Sequence, residues 1–195
     1  MKLKPGTPPS IRYYREKALE THVTCSQCTL EYAVYGVFAY CPDRGVHNSL
    51  QMLQRNLDLA RRQLSVAESQ TDPDFKRYLI ENALEDCVSV FDGFARERAR
   101  SFASRSADPA GAESTRFQNP PRSAARLKAL FAIDLQHGIS QDDWTFAHNC
   151  FMQRHVLAHA SGVIDRDYLD ETKEASNLLG RRVSISALDS SDSPR

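Results

Sequence analysis

The sequence predicts a mainly α protein: a helical bundle with a small β-hairpin toward its N-terminal end. Three observations predict it. Apolar residues recur at three- and four-residue steps through most of residues 48–183, the spacing of a helix with one buried face. β-Branched and aromatic residues crowd instead into a short stretch that ends near residue 41. After Gly45 the pattern changes from one regime to the other. At 195 residues the chain has room for one ordinary domain and a small appendage, and it contains no internal repeat.

Residues 1–20, rich in Pro, basic and aromatic residues, are expected to form a flexible lead that becomes extended over 21–24. Residues 21–47 read as a hairpin, with Tyr32, Val34, Tyr35, Val37, Phe38 and Tyr40 as its strand-forming residues around Gly36. Asn48 or Ser49 caps a first helix with Leu50, Leu53, Leu57, Ala60 and Leu64 on one face, running to about Gln70. Asp72-Pro73 breaks it and starts a second. Its stripe of Phe75, Leu79, Ala83, Cys87, Val90 and Phe94 is widened by Leu84, Val88, Phe91 and Ala95, so a long helix buried on a broad side is expected, reaching Phe102. Residues 103–122 show little periodicity and read as a long loop. A third helix from Ser123 carries Leu127, Leu130, Phe131 and Leu135 and stops at His137-Gly138. Ser140, with Asp142 and Asp143 in the next turn, caps a fourth that ends near Gly162, with Trp144 expected as a core anchor. A fifth spans 165–179, the bundle closes near residue 183, and residues 184–195 are expected to be a disordered tail.

Lys+Arg and Asp+Glu number 25 each, so no net field draws the chain to nucleic acid or to an anionic membrane, and any nucleic-acid contact has to be local. No stretch approaches the roughly 20 apolar residues of a membrane span, and the N-terminus lacks the apolar core of a secretory signal. Five cysteines, an odd number, fit a reducing compartment. The expectation is a cytoplasmic protein with no membrane partner.

Three of those cysteines cluster. Cys25-Ser-Gln-Cys28 and Cys41-Pro-Asp-Arg-Gly-Val-His47 form two turns that each offer ligands to one tetrahedral ion. Over residues 23–48 this pattern resembles a zinc ribbon, but position 44, where the ribbon has its fourth cysteine, is Arg44, and a guanidinium cannot ligate zinc. Two readings follow. His47 completes a site with Cys25, Cys28 and Cys41, in which Zn²⁺ would be structural, or the hairpin is metal-free and packs its aromatics instead.

The densest chemistry lies in Arg154-His-Val-Leu-Ala-His159, followed by Gly162-Val-Ile-Asp165 and Tyr168-Leu169. A permanent cation beside an imidazole suits a phosphodiester: the cation stabilises charge on the phosphoryl oxygens while the imidazole moves a proton, with no metal needed for catalysis. This segment, behind a ribbon-like hairpin, resembles the HEPN superfamily (higher eukaryotes and prokaryotes nucleotide-binding), an all-α bundle, over residues 23–183. The resemblance implies a HEPN-like bundle and a metal-independent endoribonuclease, an effector of antiviral defence or a toxin with a cognate antitoxin or defence partner. Arg154 and His159 would be catalytic and His155 would support them. The site would be composed across a homodimer, with a ribose 2′-hydroxyl attacking the adjacent phosphate. Helix geometry agrees with the need for two copies, because residues five apart point about 140° away from each other.

Arg96, Arg98, Arg100 and Arg122, near the segment 103–122, could grip RNA phosphates or could be an ordinary solvated surface. Glu81, Glu85 and Asp86 are candidates for an acid beside the histidines, and the spacing of His148, His155 and His159 could suit a metal. The rival to the nuclease is a non-catalytic module of the same bundle type that binds RNA or protein.

Overall fold

The computed structural model describes residues 20–35 and 38–185, and the chain divides into two compact units between Met52 and Leu53. It is mainly helical, with six α-helices among the described residues and a two-stranded antiparallel hairpin before them. No described helix is long and apolar enough to cross a membrane.

In the first unit, β1 (Glu20–Thr24) pairs with β2 (Glu31–Tyr35), with Val23 opposite Tyr32 and Thr24 opposite Glu31. The strands therefore flank the first cysteine pair, which occupies the connecting turn. Both strands fall in the stretch read as a hairpin over 21–47, apart from Glu20, and the β-branched Thr21, Val23 and Thr24 supply the first of them. A single bridge between Tyr40 and His47 closes the second cysteine turn. Asn48, almost fully buried, accepts a hydrogen bond from the Ala39 amide at 2.9 Å, while its carbonyl receives the Met52 amide as α1 (Ser49–Glu68) begins. The expected lead lies outside the described residues up to residue 19, and Glu20 opens β1.

In the second unit, α2 (Pro73–Ser101) starts as its sequence predicts, with Asp72 Oδ1 accepting from the amides of Asp74 and Phe75. The expected loop of 103–122 is largely helical instead. A 3-10 turn (Ala103–Arg105) leads to α3 (Pro109–Ser114) and then to α4 (Pro120–Phe131). Both helices begin at an acceptor followed by proline: Asp108 accepts from the Gly111 amide and Asn119 from the Arg122 amide. Those Asp-Pro and Asn-Pro pairs read as breaks in the sequence, yet a capping side chain with proline in the first turn is how a short helix begins. The segment is tied down by Phe117, 1% exposed, and by Asp92, whose carboxylate accepts from the Phe117 amide at 2.7 Å.

α4 stops at Phe131, short of the expected His137-Gly138, because Ala132 takes the left-handed conformation at φ 56°. α5 (Gln141–His159) is capped by Ser140, whose Oγ accepts from the Asp143 amide at 3.0 Å. The expected fifth helix is shorter and becomes α6 (Arg166–Thr172), ended by left-handed Lys173 and followed by a 3-10 turn (Ser176–Leu178). Residues 162–164 then pair with 180–183: Ile164 N–H donates to Arg181 O, Gly180 N–H to Ile164 O and Val183 N–H to Gly162 O. Met152, Val156, Ile164, Tyr168 and Val183 form the core at this end.

α2 packs against α5 and α3, and α5 against α6 and α4. Beside these contacts lies an apolar cavity of about 580 Å³, lined by Leu64, Val88, Phe91, Trp144 and Phe151 among others. Trp144 is thus a half-buried cavity wall and not the core anchor expected of it. Ser184 and Ile185, assigned from the sequence to a disordered tail, line the same cavity, and the rest of that tail lies outside the described residues.

Candidate metal centre and candidate catalytic helix

The two cysteine turns follow one plan. In the first, the Cys25 amide donates to Leu30 O at 2.9 Å and the Thr29 amide to Cys25 O at 3.0 Å. In the second, the Cys41 amide donates to Val46 O and the Gly45 amide to Cys41 O, both at 2.8 Å. Thr29 and Gly45, the fifth residue of each turn, share a left-handed backbone, with φ of 61° and 63°. The amide of the fourth residue points at the sulfur of the first in both, from Cys28 to Cys25 and, at 3.4 Å, from Arg44 to Cys41 Sγ.

This geometry brings Cys25, Cys28 and Cys41 together with all three sulfurs within 4.8 Å of one another. Cys28 Sγ lies 3.6 Å from Cys41 Sγ. Tetrahedral thiolates at about 2.3 Å from a common Zn²⁺ stand roughly 3.8 Å apart, so the trio fits such an ion. Cys25 and Cys41 are buried and Cys28 is half-buried. Amides of Cys28 and Gln27 directed at its sulfur lower the Cys25 thiol to about 7. For Cys28 the Leu30 amide pulls downward, but burial together with Cys25, Cys41 and Asp43 pushes the thiol up to about 11. The thiols titrate as one coupled set, and an ion bound to them would displace their remaining protons to solvent.

The expected fourth ligand does not join them. His47 lies outside the cluster of sulfurs, its Nδ1 accepts from the Ser49 amide at 3.2 Å, and its ring packs edge-on against Tyr40 and stacks on Phe38. The competing pull is local: a histidine just before a helix finds a free first-turn amide at hand. Arg44 turns outward to Asp43 at 3.4 Å, and both side chains are more than half exposed.

On α5, the residues of the arginine-histidine segment separate by face. His155 and His159, one turn apart and both exposed, bring their rings within 4.7 Å of each other. Arg154 points toward α2 instead, where its Nη2 lies 3.5 Å from Glu85 Oε1 and its side chain is 17% exposed. Within one copy of the chain Arg154 and His159 therefore serve different surfaces, as their spacing predicts. Arg154 Nε is buried and makes no hydrogen bond among the described residues, so the ion pair leaves part of the guanidinium unused. Glu81 meets Arg77 and Arg182, and His148 lies 3.5 Å from Glu171. Among the described residues no metal-ligand group forms around the histidines; the cysteine trio is the one such cluster.

The four arginines expected to contact RNA do not form one strip. Arg96 and Arg100 share a face of α2 and reach Asp92 and Glu97, whereas Arg98 lies over the Phe102 ring at 4.7 Å, with Arg105 also near that ring. Arg122 is exposed in the first turn of α4. Positions two apart on a helix fall on nearly opposite sides, which is why 96, 98 and 100 diverge. Sequence reasoning missed Asp92 entirely. A lone acid among Val88, Phe91 and Ala95 was the available signal, since a carboxylate on an apolar face needs a buried partner.

No family model, no curated protein and no solved structure matches the chain.

Proposed function

We propose that the protein is a metal-independent endoribonuclease of HEPN type, acting as a dimer, with a Zn²⁺ ion organising its hairpin. The observation that carries the catalytic reading is the exposed His155–His159 pair at the end of α5, adjoining the turn that holds Arg154. His159 takes the proton of a ribose 2′-hydroxyl as its oxygen bonds to phosphorus. The bond from phosphorus to the 5′-oxygen breaks, that oxygen takes a proton from solvent water, and the products are a cyclic phosphate and a 5′-hydroxyl, after which the His159 imidazolium returns its proton to solvent. Arg154 of a second copy stabilises the charge on the phosphoryl oxygens. His155 flanks His159 and holds its ring orientation.

The Arg154–Glu85 ion pair favours a second reading, a non-catalytic bundle of the same type that binds RNA or protein, because in it the arginine has a structural partner. One experiment separates the two. Single-stranded RNA and matching DNA are incubated with the protein in excess EDTA, beside His159→Ala and Arg154→Ala. RNA cleavage that falls about 100-fold or more in both variants, with DNA untouched, supports the nuclease. RNA binding without cleavage supports the module.

A further inference from the structure

The fourth corner of the cysteine cluster has a backbone position but, among the described residues, no donor beside the three sulfurs. The two turns match residue for residue, so Arg44 stands in the second where Cys28 stands in the first, its amide already aimed at Cys41 Sγ as a ligating turn requires. The side chain that leaves this position is a cation directed outward to Asp43. The two protein groups nearest in sequence that could substitute are otherwise engaged. His47 gives Nδ1 to the Ser49 amide and packs its ring against Phe38 and Tyr40, while Asp43 faces the Arg44 guanidinium and accepts from the Cys28 thiol, and neither side chain joins the three sulfurs that lie within 4.8 Å of one another. The least buried of the three thiols, Cys28, is the one corresponding to Arg44, so the vacant corner and the accessible sulfur belong to equivalent positions of the two turns.

Resting on the reading that this trio binds Zn²⁺, we propose that the ion is held by Cys25, Cys28 and Cys41 alone and keeps its fourth position for an exchangeable external donor. Water fills it at rest, and a thiolate or small anion displaces the water. Closed four-ligand shells belong to purely structural zinc, whereas three protein ligands and an open position leave the ion chemically accessible. Charge selects the incoming ligand. Three thiolates on Zn²⁺ carry a net single negative charge that resists another anion, and the adjacent Arg44–Asp43 pair adds no net charge, so only a strongly coordinating donor displaces the water.

Cobalt tests this directly, because Co²⁺ takes zinc-like thiolate sites and its visible d–d bands report the ligand set. The full-length apoprotein is titrated with Co²⁺, then with azide and separately with 2-mercaptoethanol. The expected result is one equivalent of Co²⁺ with thiolate charge-transfer bands, and d–d bands that move saturably with either external ligand. Asp43→Asn and His47→Ala should behave like the parent, and Arg44→Cys should close the shell and abolish the response. Bands that neither ligand moves, or a resting spectrum altered by Asp43→Asn or His47→Ala, would overturn the open position while leaving metal binding intact. Failure to take up Co²⁺ would overturn metal binding and the open position together.

Discussion

The Asp92 carboxylate lies 6% exposed on α2, where it accepts the Phe117 amide at 2.7 Å and faces the Gln118 amide group and the Arg96 guanidinium. A buried carboxylate with charged and neutral donors around it is stabilising only while those donors stay in place. Asp92→Ala removes the acceptor and leaves a buried amide unpaired, so it should cost about 2 kcal/mol of stability, read as a lower urea midpoint. The same residue marks the limit of sequence reasoning at this scale. Cys25, Cys28 and Cys41 were legible because their ligating geometry is made by turns of six residues, all written in one place. The Phe117 and Gln118 partners of Asp92 and the Glu85 partner of Arg154 were not, because each lies on a distant segment, and α2 offers Glu81, Glu85 and Asp86 with nothing local to choose between them.

Elements were most legible where a long apolar stripe runs between caps. α1, α2 and α5 all appear within a few residues of their expected limits, because Asp72-Pro73 and Ser140 act through the nearest amides. The short helices α3 and α4 begin with the same local chemistry, but the Pro, Gly and Ser residues around them mask it. Helix ends depend on one residue adopting a left-handed backbone, and at Ala132 the sequence gives no sign of it. That position predicts a gain. An alanine at φ 56° bears a steric penalty that glycine avoids, so Ala132→Gly should raise stability by about 1 kcal/mol, measured by chemical denaturation. The same substitution at Ala125, inside α4, is the control and should destabilise by about 1 kcal/mol.

For the molecule as a whole, the helical class with its N-terminal hairpin was written in the alternation of two hydrophobic periods, whereas the cavity among α1, α2 and α5 was not, since periodicity names a buried face without saying how tightly it is filled. Folding is also tied to pH at the end of the bundle. Tyr168 is 1% exposed and donates to Glu174, and burial together with that carboxylate pushes its phenol up to about 12. An unfolded tyrosine ionises near about 10, so the contribution is intact below that pH and is lost as pH rises toward 12. Denaturation midpoints should therefore fall across that window, and Tyr168→Phe should flatten the decline. The pairing of residues 162–164 with 180–183 has a different consequence. The chain returns from α6 to clasp the exit of α5, so a protease cut or an affinity tag inserted between residues 173 and 180 would unfasten the histidine-bearing end while sparing the helix itself.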